Sequence, residues 1–112
     1  MAGKRSRRKG ASGEREAAQA LTEATGKEWR RGLGQARKGG AEIPDVICDE
    51  LPDLHVEVKR GKRPSLWAAR TQAQADCAES GRTPIVMARK DRDRWVLLCD
   101  LEDLRLLARL LL

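Results

Sequence analysis

Apolar and polar positions along this chain change period several times, and each change marks an element. Ala17, Leu21 and Ala24 recur at spacings of four and three, which predicts a helix over 13–25. Ser12 or Gly13 can cap it, Glu14 and Glu16 suit its positive first turn, and Gly26 is a natural stop. Residues 28–31 read as a short strand. Residues 44–49 form a second strand around Val46 and Ile47, and 54–59 a third, joined through Pro52 as an antiparallel hairpin. Ser65 opens a second helix that ends near Gly81. Two further strands follow, 84–89 and 94–99. Asp100 caps a last helix rich in leucine. The order αβββαββα predicts an α/β fold, a mixed sheet with helices packed on it.

Between the first two strands lies GLGQARKGGAE, residues 32–42, with four glycines and the cationic Arg37 and Lys38. It reads as a loop suited to a DNA-contacting flap or to plain surface. Residues 1–11 carry Lys4, Arg5, Arg7, Arg8 and Lys9, a like-charge block that predicts a flexible basic arm before a single domain over 12–112.

Charge narrows the partners. The 112 residues hold 23 Lys and Arg against 17 Asp and Glu, a net charge of +6, which favours a polyanion. The absence of Phe and Tyr excludes modules that stack bases on rows of aromatics. Cys48, Cys77 and Cys99 are odd in number and widely spaced, so reduced thiols and a cytoplasmic location are expected. No apolar run follows the basic start and none reaches about 18 residues, so neither a signal peptide nor a membrane span is expected.

The candidate chemistry is concentrated in two strands. Glu57 and Lys59 share one strand face, while Val56 and Val58 point into the core. A hairpin register sets Asp45 beside Glu57. Two adjacent carboxylates repel, and a hard divalent cation such as Mg²⁺ relieves that repulsion. Such an ion activates water and polarises a phosphoryl oxygen, and Lys59 can orient the water or stabilise charge on phosphorus. Glu14 falls in the stripe of Ala17, Ala18 and Leu21 and so faces the sheet, whereas Glu16 falls on the opposite side as a surface residue. The plain alternative makes Asp45 a strand-edge residue and Glu57 and Lys59 exposed polar alternation. E-x-K alone is uninformative; P-D followed at this spacing by E-V-K is more specific.

The segments IPDVIC and LHVEVK resemble the PD-(D/E)xK nuclease superfamily, and KGASGERE resembles the first helix of archaeal-type Holliday junction resolvases. SGRTPIVMARKDRDRWVLLCDLEDL is similar to the second half of small phage-encoded members, so the resemblance spans roughly 9–104. It implies a restriction-endonuclease-like fold and a homodimer that cuts four-way DNA junctions symmetrically with Mg²⁺, Mn²⁺ substituting. It implies Glu14, Asp45 and Glu57 as metal ligands, the Val58 carbonyl completing the metal shell, and Lys59 as the catalytic lysine. A Ser or Thr that often precedes P-D in the archaeal enzymes is missing from 32–42. The resemblance also suits a phage gene product acting in a host cytoplasm.

Arg7, Arg8, Lys9, Arg37, Lys38, Arg60, Lys62 and Arg63 are expected to clamp the DNA backbone, reading charge and shape. His55 shares the face of Glu57 but reads as an incidental exposed residue. A zinc site from Cys48, His55, Cys77 and Cys99 fits no zinc spacing. Gln72 or Gln74 is a candidate near the metal. Trp29, Trp67 and Trp95 read as core anchors, and Leu106, Leu107, Leu110, Leu111 and Leu112 exceed one small core, suggesting a partner surface. Two alternatives remain open: another nuclease of the superfamily (repair, flap or restriction-like), or a non-catalytic basic DNA-binding module. No membrane partner and no small-molecule cofactor are expected.

Overall fold

Apolar side chains alternate with His55, Glu57 and Lys59 along the central strand, and both faces of that strand are covered. The computed structural model describes the backbone of residues 2–32 and 43–112 and the side chains of 10–32 and 43–112. Its elements are α1 (Ala2–Thr25), β1 (Arg30–Arg31), β2 (Val46–Ile47), β3 (Leu54–Gly61), α2 (Leu66–Ser80), β4 (Thr83–Lys90), β5 (Val96–Leu98), a 3-10 turn (Leu101–Asp103) and α3 (Leu104–Leu111). Strand order in the sheet follows chain order, β1 to β5. β1, β2 and β3 are antiparallel, with Val46 opposite Val56; β3 and β4 are parallel, and β5 returns antiparallel to β4. A parallel pair needs a long crossover, and α2 supplies it. Ser65 caps α2 by accepting from the Ala68 N–H, and Gly81 closes it at φ 73°, donating to the Cys77 carbonyl, as expected.

The two faces differ in composition. On the α1 face, Val46, Leu54, Val56, Ile85 and Met87 pack with Ala17, Ala18, Leu21, Trp29 and the α3 residue Leu107. Fully burying a residue of the size of Val56 or Ile85 contributes about 1.5–3 kcal/mol. The α2 face is built from smaller residues, with Ala69, Val86 and Ala88 at its centre.

Several expectations are corrected. The first helix starts at Ala2 and not near 13, so the backbone of 2–11 continues α1; Ala, Arg and Lys are good helix formers, and Gly3 and Gly10 do not stop them. Asp100 makes no side-chain cap bond. It accepts instead from Arg70 Nε at 2.6 Å and Gln74 Nε2 at 3.4 Å, joining α2 to the 3-10 turn. Trp29 is a core anchor, its ring N–H donating to Thr25 Oγ1, and Trp95 packs partly against the core. Trp67 is 69% exposed, with Arg70 over its ring. Of the leucine surplus, Leu107 is buried, Leu110 and Leu111 lean on the core, and Leu106 and Leu112 face solvent with Leu101 and Leu104. Cys48 and Cys77 are buried free thiols, as read from the sequence.

Gly32 governs the entry into β2. Its N–H donates to the Asp45 carbonyl at 2.8 Å, and a Cβ at this position would collide with the Pro44 carbonyl oxygen. That oxygen is backbone and cannot rotate away. Gly32→Ala is therefore expected to destabilise the fold by about 1–3 kcal/mol, the usual overpacking range. A urea midpoint unchanged from wild type would contradict this account of the β1–β2 junction.

Candidate active site

Asp45 stands where the β2–β3 ladder ends. Its N–H donates to the Val56 carbonyl, and one step out from the Val46–Val56 pair sets Asp45 opposite Glu57. Val46 faces α1, so Asp45 faces the α2 side with Glu57. Asp45 Oδ2 accepts from the Val58 N–H at 2.8 Å. In a strand the N–H and carbonyl of one residue point to the same side, so the Val58 carbonyl is also directed towards Asp45.

Electrostatics set this pair apart from ordinary surface acids. Glu57 is 9% exposed. Burial, and then the Asp45 charge, push its carboxyl up to about 7. Burial also raises Asp45 to about 6; the Val58 N–H and Lys59 pull it back, while Glu14 and Asp76 push it further up. Lys59 Nζ lies 3.8 Å from Glu57 Oε2, and its side chain is 45% exposed. A buried carboxylate pair with one half-exposed lysine beside it fits a divalent cation in charge and in donor type. Asp45, Glu57 and the Val58 carbonyl are the groups that would hold it.

The other predicted residues divide. Glu14 is close enough to raise both carboxyls, yet its Oε1 accepts from Arg31 Nε at 2.7 Å, so a β1 cation holds it at the sheet edge. Arg60 Nη1 pairs with Glu16 at 3.3 Å, and Arg89 Nη2 with the same carboxylate at 3.1 Å. Glu16 is thus a corrected residue: it ties α1 to the ends of β3 and β4. Lys62 and Arg63 are exposed after β3. The side chains of Arg7, Arg8 and Lys9, and residues Arg37 and Lys38, lie outside the described residues.

His55 is also corrected, being 1% exposed. Burial lowers its pKa. Asp76 escaped the sequence reading altogether. It raises the pKa of Asp45 and Glu57, and its Oδ2 lies 3.6 Å from His55 Nε2. Gln72, not Gln74, is on this side of α2 and donates to Asp76 Oδ1 at 2.8 Å. The signal was available: Asp76 adjoins the buried stripe of Ala69, Ala73 and Cys77, just as Glu14 adjoins that of α1. Among the described residues, the group whose ligand atoms all lie within 4.8 Å of one another is His55, Glu57 and Asp76.

A family model described as "Phage putative PDDEXK endonuclease" matches residues 5–110. The chain belongs to this family. The phage PDDEXK endonucleases are nucleases that use divalent metals, which agrees with the carboxylate pair and Lys59. A solved structure of Archaeoglobus fulgidus Hjc, a Holliday junction resolvase from an archaeal hyperthermophile, is similar in fold. The TM-score is 0.56 at 20% identity, covering 79% of this chain and 74% of that one. The restriction-endonuclease-like fold expected from the sequence is thereby shown. No curated protein matches. Among the described residues no helix is long and apolar enough to cross a membrane.

The raised carboxyls make stability depend on pH. Unfolded, both groups ionise in the ordinary carboxylate range; folded, they hold their protons to about 6 and about 7. The folded state binds more protons across that window, so stability is present at low pH and lost as pH rises through it. Added Mg²⁺ should raise the melting temperature more at about pH 8 than at about pH 5. An equal shift at both, or an undiminished shift in Asp45→Asn, would show that the ion binds elsewhere.

Proposed function

We propose that this protein is an endonuclease of branched DNA that resolves four-way (Holliday) junctions by symmetric phosphodiester hydrolysis, working as a homodimer. The observation that carries the nuclease chemistry is the placement of Asp45, Glu57 and Lys59 on one face where the β2–β3 ladder ends. Asp45, Glu57 and the Val58 carbonyl hold Mg²⁺, with Mn²⁺ able to replace it, and Glu14 adds negative charge from α1. The bound cation supplies charge neutralisation at the scissile phosphate and a lowered pKa for water. Lys59 extends from this face with its side chain half-exposed, and it stabilises negative charge building on phosphorus.

The junction as substrate is supported by the likeness to the archaeal resolvase, together with the net charge of +6. Lys62 and Arg63, with the basic residues of α1 and of the 32–42 segment, hold backbone phosphates. Arg60, already paired with Glu16, lies beside them. The exposed Val96, Leu97, Leu101 and Leu104 are apolar surface that a second copy covers, and a two-fold dimer matches a two-fold substrate. The place of action is the cytoplasm of a phage host.

Cleavage of a labelled four-way junction, beside matched duplex, flap and single-stranded DNA, tests this reading. Paired symmetric cuts on the junction are expected, lost in EDTA. Lys59→Ala should lose roughly 10²–10³-fold in rate, the size of effect seen when one charge-stabilising group is removed. Asp45→Asn should abolish cutting and keep or tighten DNA binding, since a negative charge is removed. Preferential cutting of duplex or flap would retain the nuclease and discard the resolvase. Tight junction binding without any cutting would leave only a binding module.

The dimer is tested separately. Leu104→Glu places a charge on the apolar surface and should shift the protein from dimer to monomer in analytical ultracentrifugation. A wild-type monomer at all concentrations would remove the dimer from the proposal.

A further inference from the structure

His55 is a buried side chain, 1% exposed. Among the described residues, neither of its ring nitrogens has a hydrogen-bond partner. Its Nε2 lies 3.6 Å from Asp76 Oδ2, beyond hydrogen-bond range. Buried polar groups are nearly always satisfied, so an orphaned imidazole facing carboxylates calls for a ligand. One ligand atom each from His55, Glu57 and Asp76 lies within 4.8 Å of the other two. Gln72 occupies Asp76 Oδ1 at 2.8 Å. That bond orients the carboxylate and leaves Oδ2 towards the imidazole, the role of an outer group around a metal ligand.

We propose that His55, Glu57 and Asp76 form a second cation site, built for a transition-metal ion such as Zn²⁺ rather than for Mg²⁺. Imidazole nitrogen and carboxylate oxygen are both zinc donors, and three protein ligands leave a fourth position open. Mg²⁺ prefers an all-oxygen octahedron, whereas imidazole suits Zn²⁺ and its neighbours. β3 supplies two of the ligands from alternate positions on one face, and α2 supplies the third from above. Glu57 is common to this site and to the Asp45 pair. Filling the second site therefore draws on a ligand of the first, so Zn²⁺ antagonises Mg²⁺-supported cleavage. This last consequence rests on the nuclease reading; the binding itself does not.

The chain has one histidine, so its imidazole signals in an NMR spectrum need no assignment by mutation. With the thiols kept reduced, Zn²⁺ is titrated into the wild-type protein and its heat of binding and imidazole resonances are followed. The ring resonances are expected to shift on Zn²⁺ and to stay in place on Mg²⁺. Asp76→Asn and His55→Gln are each expected to weaken Zn²⁺ binding by roughly tenfold or more. Lys59→Ala should lose cleavage and keep Zn²⁺ binding, which separates this proposal from the nuclease reading. If His55→Gln does not fold, Asp76→Asn and the wild-type spectrum still decide. Zn²⁺ bound with the imidazole unmoved would place the ion elsewhere, at the Asp45–Glu57 pair or at the cysteines, and overturn the site. Unchanged affinity in Asp76→Asn would do the same.

Discussion

Asp45 and Glu57 face each other across two strands, under a helix, where burial and their mutual repulsion make it costly for both to carry a charge. Much of the surrounding structure answers that repulsion. The Val58 N–H is taken from the sheet ladder and given to Asp45. Lys59 stands one turn of the pleat away from Glu57, and Arg31 holds Glu14 at the margin so that a third carboxylate does not press further inward. These contacts do not offset burial, and both carboxyls stay well above their ordinary range. A site in that condition is poised for a divalent ion.

The two faces of the sheet divide the work. The α1 face is packed with large aliphatic residues and supplies most of the cohesion. The α2 face is lined by alanine and other small residues, and small residues leave room for His55, Glu57 and Asp76 beneath the helix. The same division explains why α2 shows so little apolar patterning. Its buried side, Ala69, Ala73 and Cys77, is defined by lack of bulk.

That is also the physical reason part of the site escaped the sequence. Asp45, Glu57 and Lys59 were legible because strand alternation and a hairpin register are local rules, and the hairpin folds as those rules require. Elements with a strong period, such as 54–59 and 84–89, appear nearly where expected, and the capping residues Ser65 and Gly81 mark α2 correctly. Asp76 adjoins an inward stripe of small residues, Ala69, Ala73 and Cys77, which is a fainter signal in the sequence than a stripe of large aliphatics. Glu16 looked like a surface residue on a helical wheel. Its partners, Arg60 and Arg89, come from the ends of two distant strands, and no local pattern reports such a pairing. Trp67 erred in the other direction, an aromatic taken for core that lies outside it.

The parallel pairing of β3 with β4 has a bearing on how the chain acquires its chemistry. Leu54 meets Thr83 only after the whole of α2 has been threaded between them. Contacts so far apart in sequence form slowly, because loop closure precedes any gain from pairing. The groups of the site arrive from α1, from the hairpin and from α2, and burial of Glu57 depends on that last, non-local step. Before that step the hairpin acids lie in water, where their repulsion is weak. The arrangement of these groups is therefore a property of the finished fold, completed only when its most distant pairing closes.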